Sequence, residues 1–222
     1  MKVKSSTKLS IFDTFKTKEN SLTGEATRQR SIIRILASKA NSAEKTRTGI
    51  SQKIAKGQGI VWKNIYSGIF RDLDEILLPM GIAEENGRLP LKRGPKALQE
   101  KGIPFYHLTR KGVLIALSLE EIENKEKLLE EFFSDSDPKE KEFEKIISIL
   151  SKTSPKFTYS IFQKYVKAFC DDKIKDLLPF DLSKLQNIPD ESLTIQKEVL
   201  EGFLRLSKQE REEALRFLNR IA

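Results

Sequence analysis

Cysteine and histidine each occur once in the 222 residues, as Cys170 and His107, and those two scarcities close off several kinds of chemistry. A single thiol forms no intramolecular disulfide. With no CxxC pair and no Cys/His spacing of the ligand kind, no metal site is expected. The pattern suits a reducing compartment, so the expected localisation is cytoplasmic. Long apolar runs are missing too: none approaches the roughly 18 residues that span a bilayer, and no apolar segment follows Lys2, Lys4 and Lys8. Neither a membrane partner nor an export leader is expected. The chain also lacks a Gly-rich phosphate loop, a nucleophile elbow and HExxH, and Gly57-Gln58-Gly59 has no third glycine in the required place, so it reads as a turn. His107 reads as an edge or surface histidine, Cys170 as a core or boundary thiol, and Asp171-Asp172 as a turn or helix end. No catalytic residue and no cofactor emerge, and the expectation is a protein that is not an enzyme.

What is present is charge, unevenly divided. The net charge is +8, but residues 1–113 hold 22 Lys and Arg against 10 Asp and Glu, giving +12, while residues 114–222 hold 18 against 22, giving −4. Clustered cations raise the local potential toward polyanions, so nucleic acid is the leading partner class. At 38% apolar, the length suits one full domain with a smaller second one.

Residues 1–24 carry five Lys and scattered apolar positions (Leu9, Ile11, Phe12, Phe15), the composition of a flexible basic arm or a loosely docked segment. Such an arm follows phosphates or a groove in some modules and is only a solubilising tail in others. Over 26–40, Ile32, Ile33, Ile35 and Leu36 mark one side of an amphipathic helix and Arg28, Arg30 and Arg34 the other. After the polar break Asn41-Ser42-Ala43, a second helix ends near Lys56, with Ile50 and Ile54 on its small apolar face.

A third helix is predicted over 62–78, because Ile65, Ile69, Leu73, Ile76 and Leu77 recur at helical spacing and Pro79 and Gly81 end it. Its other face presents Lys63, Asn64, Ser67 and Arg71, with Tyr66 at the margin, residue types that hydrogen-bond base edges or phosphates. Asp72, Asp74 and Glu75 lie toward its far end, and Trp62 at its start reads as a core anchor. A strand is predicted over 82–91 and another over 105–108. The insert between them contains Lys92-Arg93-Gly94-Pro95-Lys96, a turn with cations on both sides. That insert is longer than an ordinary hairpin loop, which leaves either an enlarged wing or a segment that orders on a partner.

This order of elements, closed by Thr109-Arg110-Lys111-Gly112, resembles the winged helix-turn-helix superfamily over about residues 26–118. In that family a Thr-x-x-Gly turn ends the wing and starts a helix. The resemblance implies a DNA-binding module of three helices plus a two-stranded wing. The third helix would read bases through Lys63, Asn64, Tyr66, Ser67 and Arg71, and Arg28, Arg30, Arg34, Lys92, Arg93 and Lys96 would meet phosphates.

Farther on, Glu120, Glu121, Glu123, Glu126, Glu130 and Glu131 crowd one predicted helix that opens with a Ser118-x-x-Glu121 capping box, a surface that DNA phosphates would repel. A boundary follows at Ser134-Asp135-Ser136-Asp137-Pro138, with Asp137 the N-cap and Pro138 at the first helical position. The rest is helical by pattern, including a second box at Ser207-x-x-Glu210. The expected layout is therefore mainly α: a basic arm (1–24), a winged-helix domain (25–118), an acidic helix and linker (119–137) and an all-α C-terminal domain (138–222). The expected function is a double-stranded DNA-binding transcription regulator whose C-terminal helices hold a homodimer or protein partner. The alternative is a winged-helix adaptor in an assembly or chromosome-maintenance complex.

Overall fold

The computed structural model describes residues 8–18, 21–90 and 102–221. Mainly helical, with one small two-stranded antiparallel sheet, it divides into two compact units, residues 1–182 and 183–222.

The first unit opens with three helices. Thr23 caps α1 (Gly24–Ala37) by accepting from the Ala26 N–H, and Ile32, Ile33, Ile35 and Leu36 form its buried side. Thr46 caps α2 (Arg47–Gln58) through the Gly49 N–H, and Gly59 closes it in the left-handed region at φ 65°, where a side chain would be strained. The third helix, α3 (Lys63–Arg71), widens into a π-helical stretch, Asp72–Leu77, that periodicity does not reveal. Strand β1 (Ala83–Leu89) pairs antiparallel with β2 (Ile103–Leu108), with an irregular register between Glu85 and Arg88. Compared with expectation, α1 starts and stops two to three residues early, β1 ends sooner and β2 begins earlier. Thr46 adds an isolated antiparallel bridge to Phe105, and the Tyr106 N–H donates to the Lys45 carbonyl at 3.1 Å, so the segment before α2 lies along the hairpin.

Helix α4 (Arg110–Leu117) follows at once, capped by Thr109, whose hydroxyl also donates to the Gly81 carbonyl at 2.6 Å. A Cβ at Gly112 would run into the carbonyl oxygen of Ile82, so glycine sets how closely α4 and the start of the hairpin approach. Every residue from Gly112 to Leu117 is buried, because α1 packs on one side of α4 and α5 (Lys125–Ser134) and α7 (Pro155–Cys170) on others.

The expected acidic helix is interrupted. Ser118 turns its hydroxyl to the Ile115 carbonyl and Glu121 pairs with Arg30 at 2.6 Å, so no capping box forms and α5 starts only at Lys125. Asp137 does cap α6 (Pro138–Thr153), in a box with Glu140. The boundary read there falls inside the first unit. Phe180 ends the unit in a cluster with Phe132, Phe133, Phe162 and Tyr165, whose ring centroids lie 5.1–6.2 Å from its own. Nor is the chain before α1 a free arm in its described part. Leu9 and Ile11 are buried, the Ser10 N–H donates to Gln29 Oε1 at 2.9 Å, and Arg30 donates to the Ile11 carbonyl.

The second unit holds α8 (Glu191–Arg205) and α9 (Lys208–Ile221). Asp190 caps the first, and the expected Ser207–Glu210 box caps the second. Among the described residues, no helix is long and apolar enough to cross a membrane.

Candidate nucleic-acid interface

Helical periodicity decides which side of α3 meets solvent. Ile69 and Leu73 are fully buried, whereas Lys63, Asn64, Ser67 and Arg71, at spacings of three and four, are exposed along one stripe. Tyr66 is half-buried at its margin, edge-on to the half-buried Trp62 with ring centroids 5.7 Å apart. Ile60, Val61 and Phe70 add exposed apolar surface beside these polar residues.

Directly after the stripe come three acids, and the π-helical stretch governs where two of them point. Asp72 is turned inward, its side chain fully buried, and receives Arg28 Nε at 2.8 Å. Asp74 takes Arg47 through two atoms, Nε at 2.9 Å and Nη2 at 2.6 Å. Arg47 also lies over the rings of Phe70 and Tyr106, 5.3 Å from each centroid, tying α2, α3 and β2 together. Burial opposes its charge, but the Asp74 hydrogen bonds and the neighbouring Tyr106 outweigh burial and raise its pKa, while burial pushes the Tyr106 phenol up. Glu75 alone of the three acids is exposed. Arg71 stays half exposed, 3.6 Å from Glu25 and from Asp72.

The chain matches no protein-family profile, no curated protein and no solved structure.

The arginines of α1 do not assemble into one cationic cluster. Arg28 is committed to Asp72, and Arg30 to the Ile11 carbonyl and Glu121 with its side chain 15% exposed. Only Arg34 is exposed, and it borders an open cavity of about 420 Å³ together with Lys39, Lys53 and Glu121. A guanidinium already holding a buried or half-buried carboxylate cannot release it to a phosphate without leaving that acid unpaired. Lys92, Arg93 and Lys96 lie outside the described residues. The described part of the hairpin offers no unpaired lysine or arginine: Arg88 is paired with Glu85 at 2.6 Å, and His107 Nε2 lies 3.1 Å from Glu84.

The sequence reading overlooked Arg47, which orients α3, and Lys53 and Lys56, exposed one turn apart on α2 beside the turn into α3. For Lys56 the signal was available, since it falls on the far side of the helix from Ile50 and Ile54; Lys53 flanks that face and pairs with Glu44 at 3.0 Å. For Arg47 it was not, because its partner is 27 residues away.

Proposed function

We propose that this chain is a duplex DNA-binding protein, a transcription regulator, built on a winged helix-turn-helix over residues 25–118. The N-terminal half of α3 enters the major groove, Lys63, Asn64, Ser67 and Arg71 face base edges, and the β1–β2 hairpin lies over the neighbouring backbone. The observation that carries this reading is the disposal of acid at the end of α3. Arg28 and Arg47 take up Asp72 and Asp74, so the stripe presents Lys63, Asn64, Ser67 and Arg71, with Glu75 the one of the three acids exposed at its far end. The Thr46–Phe105 bridge supports it as well, since it ties the segment before α2 to the hairpin and so joins helices and hairpin into one module. The exposed Ile60, Val61 and Phe70 favour a second reading, a protein-binding adaptor using the same face.

The test is fluorescence anisotropy of a labelled mixed-sequence duplex against the full chain over a salt series. Binding should weaken linearly on a log–log plot, and replacing Lys92, Arg93 and Lys96 with Ala should flatten that slope. Asn64→Ala should lose about 1–3 kcal/mol at a preferred site and little elsewhere. Absence of binding at low salt would overturn the DNA reading in favour of the adaptor.

A further inference from the structure

A cavity of about 240 Å³ opens where the end of α1, the end of β2, α4 and α5 meet. Leu108, Val113 and Leu128, all buried, form its apolar wall, and Lys39, Lys45, Lys127 and Glu131 line it together with His107. A second cavity, of about 420 Å³, shares Ala37, Ser38, Lys39 and Asn124 with the first, so the two adjoin. Its floor is apolar, with Ile35, Ile54 and Ile122 buried, and Arg34, Lys53, Glu121 and Glu123 stand around it. Together the two reach the size of sites that take small molecules, roughly 300–1,000 Å³.

Charge decides what kind of molecule fits. In the smaller cavity three lysines face one carboxylate, an excess of two positive charges (3 − 1). Lys39 and Lys127 have no ion-pair partner among the described residues. Lys45 is half-buried, and its ammonium donates to the Leu36 carbonyl at 2.9 Å, which leaves two of its three N–H bonds for another acceptor. Burial pulls its pKa down; Glu131 offsets only part of that, and Lys53 adds repulsion. A further anion beside Lys45 supplies the missing counter-charge. A phosphate monoester matches the excess, with about −1.5 to −2 charges near pH 7 and three strong acceptor oxygens, whereas a carboxylate brings one charge and two oxygens. An extended nucleic-acid backbone does not match, because it would run past Glu126, Glu130 and Glu131, all exposed on α5.

We infer that this pair of cavities binds a small organic phosphate, its phosphoryl group held among Lys39, Lys45 and Lys127 and its organic part lying past Ser38 on the apolar floor of the larger cavity. None of these three lysines is placed against DNA, so the proposal stands or falls apart from the DNA reading.

The chain has a single histidine, which lines the smaller cavity, so the imidazole signal in proton–carbon NMR of the full chain reports on this place alone. Phenyl phosphate, titrated at fixed pH and ionic strength, should move that signal along a saturable curve. It should bind at least about tenfold more tightly than inorganic phosphate, which lacks the organic part, or benzoate, which lacks the second charge. Lys39→Gln with Lys127→Gln should weaken phenyl phosphate about tenfold or more; both side chains are exposed, so the fold does not depend on them. Lys152→Gln with Lys167→Gln removes the same charge from exposed positions elsewhere and should leave the affinity unchanged. A shift that never saturates, equal weakening by the two double variants, or inorganic phosphate or benzoate bound as tightly as the ester would each overturn the proposal.

Discussion

Cys170 shows what burial does to one side chain. It sits at the end of α7 at 5% exposure, and burial, with Asp171 adding to it, pushes the thiol up to about 12. Only the thiolate attacks an alkylating reagent, so iodoacetamide at neutral pH should label the unfolded protein and leave the native one unlabelled; rapid native labelling would contradict the burial. The same shift carries a sign for stability. A thiol whose folded pKa is raised stays protonated in the native state while the unfolded chain begins to ionise near its ordinary value of 9.0. Its contribution is therefore complete below pH 9 and is lost at up to about 1.4 kcal/mol per pH unit as pH climbs toward 12. Urea unfolding of the native chain and of Cys170→Ala over this range should show the extra alkaline loss in the former alone.

At the scale of the element, the widened end of α3 is the part with most consequence. Arg28→Ala would leave the fully buried Asp72 carboxylate with only the looser Arg71 contact at 3.6 Å, and breaking a buried pair from one side costs up to about 3–5 kcal/mol. Arg28→Ala with Asp72→Ala should recover most of that loss in urea titrations; equal instability of single and double variants would mean that Arg28 acts by packing alone. None of this was readable in advance. The solvent side of α3 was legible because Ile69 and Leu73 recur at helical spacing, and the start of α6 because Asp137-Pro138 is a local signal with a local cause. The roles of Arg28, Arg30 and Arg47 depend on partners 44, 91 and 27 residues away, and an arginine opposite an apolar stripe reads the same whether it meets solvent or a carboxylate. Ser118 and Glu121 had the spacing of a cap but found stronger local and distant partners. Leu9 and Ile11 were missed as core because two apolar residues in a polar stretch have no periodicity to detect.

For the whole molecule, the decisive contact joins the head to the helices behind it. Arg110, at the start of α4, reaches Glu140 on α6 at 2.5 Å and lies 4.8 Å from the Phe132 ring centroid. Glu140, 1% exposed, also accepts from the Asp137 N–H at 3.0 Å and the Phe180 N–H at 2.6 Å. Its carboxylate thus closes α4, α6 and the segment ending at Phe180 into one piece. Glu140→Ala should cost about 3–5 kcal/mol and lower the unfolding midpoint of the entire first unit in one transition; two separated transitions would show that the head melts independently. The same architecture fixes an order of events in the cell. Because α4 is apolar on every side and α5 and α7 form part of its wrapping, the first 118 residues cannot close their own surface when they are made. At 5–20 residues per second, synthesis of residues 119–182 takes roughly 3–13 s. For that interval each newborn chain holds open a greasy helix, a window in which chaperones have something to grip.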